Sequence, residues 1–119
     1  MKRYKFVEEK ELIKEMANLR SEDTGLDHGT IYISSKEGNQ GPRIKYYRGR
    51  PGNTPSASIS ISNNPEVVED SIDLKSLEIK ELVLFVQKNK SKLLLAWNKG
   101  YSMYKDEWNN LINSLEKIK

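Results

Sequence analysis

Ala57-Ser58-Ile59-Ser60-Ile61-Ser62 alternates apolar and hydroxyl residues without a break. Successive side chains of a strand point to opposite faces, so this stretch reads as a strand with one apolar face and one hydroxyl face. Upstream, Arg43-Ile44-Lys45-Tyr46-Tyr47-Arg48 alternates in the same way. Ile44 and Tyr46 share one face, and Arg43, Lys45 and Tyr47 share the other. Thr30-Ile31-Tyr32-Ile33-Ser34 supplies a third strand, with Ile31 and Ile33 inward. The links Glu37-Gly38-Asn39-Gln40-Gly41-Pro42 and Gly49-Arg50-Pro51-Gly52-Asn53-Thr54-Pro55 are turn chemistry. After Asn63-Asn64-Pro65, the run Glu66-Val67-Val68-Glu69 can add a short fourth strand. Successive strands with such links make an antiparallel meander of three or four strands.

Outward from the meander the period changes. Leu12, Ile13, Met16 and Leu19 follow helical spacing, and Glu8, Glu9 and Glu11 would favour the positive end of a helix dipole. The spacing predicts an N-terminal helix over Val7 to Arg20, stopped by Asp23-Thr24-Gly25. Downstream, Leu82, Val83, Phe85, Val86, Leu93, Leu94 and Trp97 make a long helical pattern from Leu77 to Trp97. Asn89-Lys90-Ser91 interrupts it, so a kink or a junction of two helices is expected there. Asp73 is a candidate N-cap and Gly100 a C-terminal stop. A final helix carries Trp108, Leu111, Ile112 and Leu115 on one stripe. Trp97 and Trp108 read as core, Tyr101 and Tyr104 as exposed. The expectation is a single α+β domain over residues 1–119: an N-terminal helix, the three- or four-stranded antiparallel meander, then two or three C-terminal helices packed on one face.

Composition narrows the function classes. The chain has 119 residues, 36 % hydrophobic and 31 % charged, enough for one modest core. The absence of cysteine excludes a disulfide scaffold, a thiol nucleophile and Cys-ligated metal. A single histidine, His28, excludes multi-histidine metal sites. The longest apolar runs, Leu82–Val86 and Leu93–Trp97, fall far short of the roughly 20 residues a bilayer requires. Met1-Lys2-Arg3-Tyr4 leads into charged sequence rather than a secretory apolar region, so no membrane partner and a cytoplasmic location are expected.

The residues that could carry chemistry do not assemble into a catalytic pattern. Asp23-Thr24-Gly25 matches the aspartic-protease triplet, yet the polar Leu19-Arg20-Ser21-Glu22 before it suits a helix exit rather than a buried strand end. His28 could pair with Ser34, Ser35 or Ser58 and be oriented by Asp23 or Asp27, but no nucleophile elbow accompanies it. Glu66, Glu69, Asp70 and Asp73 form an acidic block without calcium-loop spacing. The glycines form no phosphate loop. The reading is therefore not an enzyme, with no cofactor and no metal. A divalent-cation-dependent hydrolase using Glu66, Glu69 or Asp70 is the weakest alternative.

The basic strand is the informative piece. Arg43, Lys45, Arg48 and Arg50 occur within eight residues without an acid, between Tyr46 and Tyr47 and the following loop. Exposed arginine and tyrosine anchor protein interfaces, and the same residues can neutralise phosphates and stack bases. Arg43, Lys45, Tyr47, Arg48 and Arg50 are the candidate contact residues for a partner protein or an anion. A protein partner is the first expectation, nucleic acid the alternative, and an exposed strand edge would allow a homodimer.

Gly41-Pro42-Arg43-Ile44-Lys45-Tyr46 and Phe85-Val86-Gln87-Lys88-Asn89-Lys90-Ser91-Lys92-Leu93-Leu94-Leu95-Ala96-Trp97, together with Leu19-Arg20-Ser21-Glu22-Asp23-Thr24-Gly25-Leu26, resemble a family of small bacterial proteins. It is the domain-of-unknown-function family numbered forty-one-sixty, whose members have a meander followed by a helix ending in Asn-x-x-x-Leu-Leu-x-x-Trp. The family's Pro-x-His-x-His signature is replaced here by Pro42-Arg43-Ile44-Lys45-Tyr46, so no histidine chemistry carries over. The resemblance implies an α+β fold and a bacterial or phage source. Members are often small accessory proteins, some beside toxin–antitoxin partners, and the resemblance supplies no activity; a toxin–antitoxin or defence component is the expectation for the partner system.

Overall fold

The computed structural model describes residues 12, 13, 16–34, 36, 39–49 and 54–119. Within them, strands β1 (Ala17–Leu19), β2 (Thr30–Ile33), β3 (Arg43–Tyr47), β4 (Ala57–Ser60) and β5 (Val67–Asp70) pair in chain order as one antiparallel sheet. A single helical turn, α1 (Ser21–Thr24), connects β1 to β2. Beyond the sheet come α2 (Ser76–Lys99), a 3-10 turn (Gly100–Ser102) and α3 (Lys105–Asn113). The architecture is α+β, a meander followed by C-terminal helices.

Two expectations are corrected. The sheet has five strands, not three or four, because β1 adds to the free edge of β2. The N-terminal helix is also replaced where the chain is described: Ala17–Leu19 is strand. Leu12 bridges to Tyr104, and the Ile13 N–H donates to the Met103 carbonyl at 3.0 Å. Ile13, Met16 and Leu19 are nevertheless buried. Ile13 meets the residue after the 3-10 turn, and Leu19 lies in the sheet. Residues 7–11, 14 and 15 of the expected helix lie outside the described residues.

Register explains the core. Ala17, Ile33, Ile44, Ile59 and Val67 form one cross-strand row, and Leu19, Ile31, Tyr46 and Ala57 form the next. These rows and Leu82, Phe85, Val86 and Leu93 of α2 belong to one buried cluster, with Ala17 and Val67 at its margin. Phe85 and Leu82 are fully buried, each contributing about 1.5–3 kcal/mol of apolar burial. Trp97 and Trp108 are buried on their helices, and Tyr101 and Tyr104, in the link between α2 and α3, are exposed.

The entry to α2 is built by a different acid from the one expected. Lys75, not Asp73, occupies the N-cap position, and Asp73 turns the chain with φ 60°. The Asp70 carboxylate instead accepts the N–H groups of Ile72, Asp73 and Leu74 at 3.0, 2.8 and 2.9 Å. These backbone donors, Leu74 foremost, hold its pKa below the ordinary value. Each helix start uses one further device: an acid in the first turn accepts the N–H ahead of the helix. Asp23 accepts from Arg20, Glu78 from Lys75 and Glu107 from Tyr104.

Helix α2 bends where the apolar pattern breaks, with Asn89 at φ −120° and ψ 16°. It ends at Gly100, whose N–H donates to the Ala96 carbonyl. Beyond α3, the last residues run back along α2 to α1, where the Ile118 N–H donates to the Thr24 carbonyl at 2.9 Å.

Candidate functional site

One face of the sheet packs on the helices; the other carries polar residues. Asn18, Tyr32, Lys45, Ser58 and Glu69 form its central row by register, flanked by Thr30 beside Tyr47 and Arg43 beside Ser60. The alternation that drives Ile44, Tyr46, Ala57 and Ile59 inward fixes these residues outward. Arg43 and Lys45 are partly exposed, two residues apart on β3, facing Ser60 and Ser58 of β4. Arg43 Nε donates to the Gly41 carbonyl at 3.2 Å. Lys45 forms no ion pair among the described residues. A shallow basin of about 780 Å³ continues this face past Asn18 and Thr30 to Arg20, Glu22 and Gly49.

The five candidate contact residues divide. Arg43 and Lys45 lie together on the outer face. Tyr47 shares the face but is only 8 % exposed, so its ring packs rather than projects. Arg48 is drawn to the opposite side, following the parity of Ile44 and Tyr46. Arg50 lies outside the described residues.

Arg48 closes a network at the far end of β3. Its Nε and Nη2 donate to the two carboxylate oxygens of Glu78 at 3.0 and 2.8 Å. Its Nη1 and Nη2 also donate to the carbonyls of Ile72 and Asp73, both at 2.8 Å. The Tyr46 hydroxyl donates to Glu78 at 3.0 Å and lies 3.4 Å from the His28 carbonyl. The Arg48 hydrogen bonds pull Glu78 down to about 2. Burial first, and then the Glu78 carboxylate, push Tyr46 up to about 12. Arg48 thus ties β3 to the loop after β5 and to the start of α2.

A cleft of about 420 Å³ sits over this network, lined by Asp27, His28, Lys75, Leu77 and Glu81 as well. The Lys119 ammonium bridges Asp27 and Glu81 at its edge. Lys119 holds Asp27 below its ordinary pKa. Sequence reasoning missed this cluster, although the parity of residues 44, 46 and 48 pointed Arg48 inward.

The other motifs take local roles. Asp23-Thr24-Gly25 is the end of α1, with Gly25 in the left-handed region at φ 81°. His28 is exposed, and Ser58 Oγ forms no bond to it. In the acidic block, Asp70 is spent on the α2 entry. Among the described residues no three His, Asp or Glu side chains gather to hold a metal. No described helix is long and apolar enough to cross a membrane.

No family model, no curated protein and no solved structure matches the chain.

Proposed function

We propose that the protein is a non-enzymatic docking module that captures a partner protein through the outer face of its sheet. The observation that carries this reading is the pair Arg43 and Lys45, set side by side on the central strand over a hydroxyl row. A rigid sheet presents these groups at fixed spacing, which favours recognition of one complementary surface. The resemblance to the forty-one-sixty family supports a bacterial or phage accessory protein of the toxin–antitoxin or defence kind, acting in the cytoplasm.

Nucleic-acid binding is the second reading, since Arg43 and Lys45 could equally meet phosphates. Two observations favour protein over nucleic acid. Tyr47 is too buried to stack a base, and Arg48 is committed to Glu78. A divalent-cation-dependent hydrolase has less support, because Asp70 already accepts three backbone N–H groups.

The test is affinity capture from nuclease-treated lysate, comparing the wild-type chain with Arg43→Glu/Lys45→Glu. Docking predicts a stoichiometric protein retained by the first and lost by the second. Binding that disappears with nuclease, and falls steeply with salt in direct assays, moves the reading to nucleic acid.

A further inference from the structure

Ser58 lies in the middle of the outer face, fully buried, and its hydroxyl has no hydrogen-bond partner among the described residues. Buried hydroxyls are normally paired, because desolvating one without a bond is unfavourable. The neighbouring hydroxyls on β4 and beyond are satisfied: Ser60 and Ser62 lie 3.2 Å apart, and Ser60 accepts the Glu66 N–H at 3.0 Å. Ser58 is the exception in that row.

Its surroundings have a sign. By register Ser58 faces Lys45 on β3 and Glu69 on β5, and Arg43 lies two residues along β3. Direct cross-strand neighbours stand about 5 Å apart, so Lys45 can swing its ammonium over Ser58. Arg43 donates Nε to Gly41, and its terminal amino groups make no bond among the described residues. A hydroxyl can donate or accept, but a cationic group arriving from the β3 side would meet two positive charges. An oxyanion there would accept from Ser58 and lie beside both.

We infer that Ser58, Lys45 and Arg43 form a subsite for one carboxylate side chain of the partner protein. The inference rests on the docking reading above. An acidic side chain drawn by Lys45 displaces the flexible side chains flanking Ser58 and takes its unused hydrogen bond. Glu69 repels an oxyanion from the β5 side, so the subsite admits a single acidic group on the β3 side rather than a run of charges across the sheet.

The test uses the isotope-labelled full chain and follows backbone amide shifts during titration with acetylated penta-glutamate. Inorganic phosphate and a short oligothymidylate are titrated separately at matched ionic strength. The expected result is saturable movement of the Lys45 and Ser58 amides with the peptide. Ser58→Ala should weaken that binding about tenfold, the effect of one hydrogen bond to a charged acceptor. The same variant should melt at a slightly higher temperature, because it removes an unpaired buried group. Glu69→Gln should tighten binding about two- to threefold, because one solvent-screened like charge is removed from beside the bound carboxylate.

If Ser58→Ala binds the peptide as well as the wild type while Lys45→Gln does not, the subsite is overturned and the docking face stands. If phosphate or the oligonucleotide moves these amides at lower concentration than the peptide, the carboxylate assignment is overturned. If the peptide moves nothing while charge reversal at Arg43 and Lys45 still abolishes capture, the subsite again falls alone. If that reversal leaves capture intact, the docking reading itself falls.

Discussion

Asn89 and Glu116 hold each other in both directions across 27 residues of chain. The Asn89 side chain accepts the Glu116 N–H at 2.7 Å and donates to the Glu116 carbonyl at 2.9 Å. It also donates to the Phe85 carbonyl at 3.0 Å, inside the bend of α2. One buried amide therefore sets the helix bend and seats the C-terminal segment. Lys92 adds a bond to the Ser114 carbonyl at 2.6 Å.

Asn89→Ala should destabilise the fold by about 1–3 kcal/mol. It loses the buried hydrogen bonds but recovers part of the cost through better helix propensity. Hydrogen exchange checks the mechanism. The Glu116 and Ile118 amides should exchange faster in the variant, while those of Ile44 and Ile59 keep their protection.

The Glu78 network predicts acid sensitivity with a definite sign. Its folded pKa, about 2, lies below the ordinary 4.5. The folded state therefore favours the carboxylate. This stabilisation is complete above about pH 4.5 and is lost as pH falls through about 2. Glu78→Gln should cost about 1–2 kcal/mol near neutral pH, a modest value because Arg48 is partly open to solvent. The gap between wild type and variant in urea denaturation should close on acidification across that window. Tyr46 acts at the other extreme: its stabilisation is present below the ordinary value of 10 and is lost as pH rises through about 12.

Gly29 should tolerate no side chain. It adopts φ 87°, and an added Cβ would lie 2.4 Å from a ring carbon of Tyr46 and 2.6 Å from its hydroxyl. Gly29→Ala should cost about 2–4 kcal/mol from backbone strain and overpacking together. Gly41→Ala, where an added Cβ would meet no heavy atom of the described residues within 4 Å beyond its chain neighbours, should be nearly neutral. Chemical denaturation of the two variants checks the contrast.

The pair Arg43 and Lys45 on β3 should separate in function from Arg48 just beyond it. Arg48→Glu places an acid against Glu78 and the Ile72 and Asp73 carbonyls, so it should lower the melting temperature by several degrees. Arg43→Glu/Lys45→Glu breaks no ion pair among the described residues and should melt within about 2 °C of the wild type. Scanning calorimetry of both distinguishes a structural arginine from contact residues.

Strands β2 to β4 were legible because their alternation is local and strict, and the bend at Asn89 was legible as a break in apolar spacing. Strand β1 was not, because Ile13, Met16 and Leu19 satisfy helical spacing equally well. Only pairing with β2, a contact remote in sequence, makes Ala17–Leu19 extended. The outer face could be read as far as Lys45. Grouping Arg48 with it followed the run of charge and overlooked strand parity. The burial of Tyr47, the orphan hydroxyl of Ser58 and the Asn89–Glu116 clasp are tertiary facts with no local signature. Asp73 was misjudged for a related reason: Asp70, from the end of β5, holds the turn ahead of α2, and Glu78 takes the Lys75 N–H that a cap at Asp73 would have accepted.

The most direct test of the central claim is the capture experiment with Arg43→Glu/Lys45→Glu in nuclease-treated lysate, read beside the melting temperature of the same variant. The docking account predicts loss of a stoichiometric protein partner with an unchanged melting transition. Retention of that partner by the charge-reversed chain would contradict it.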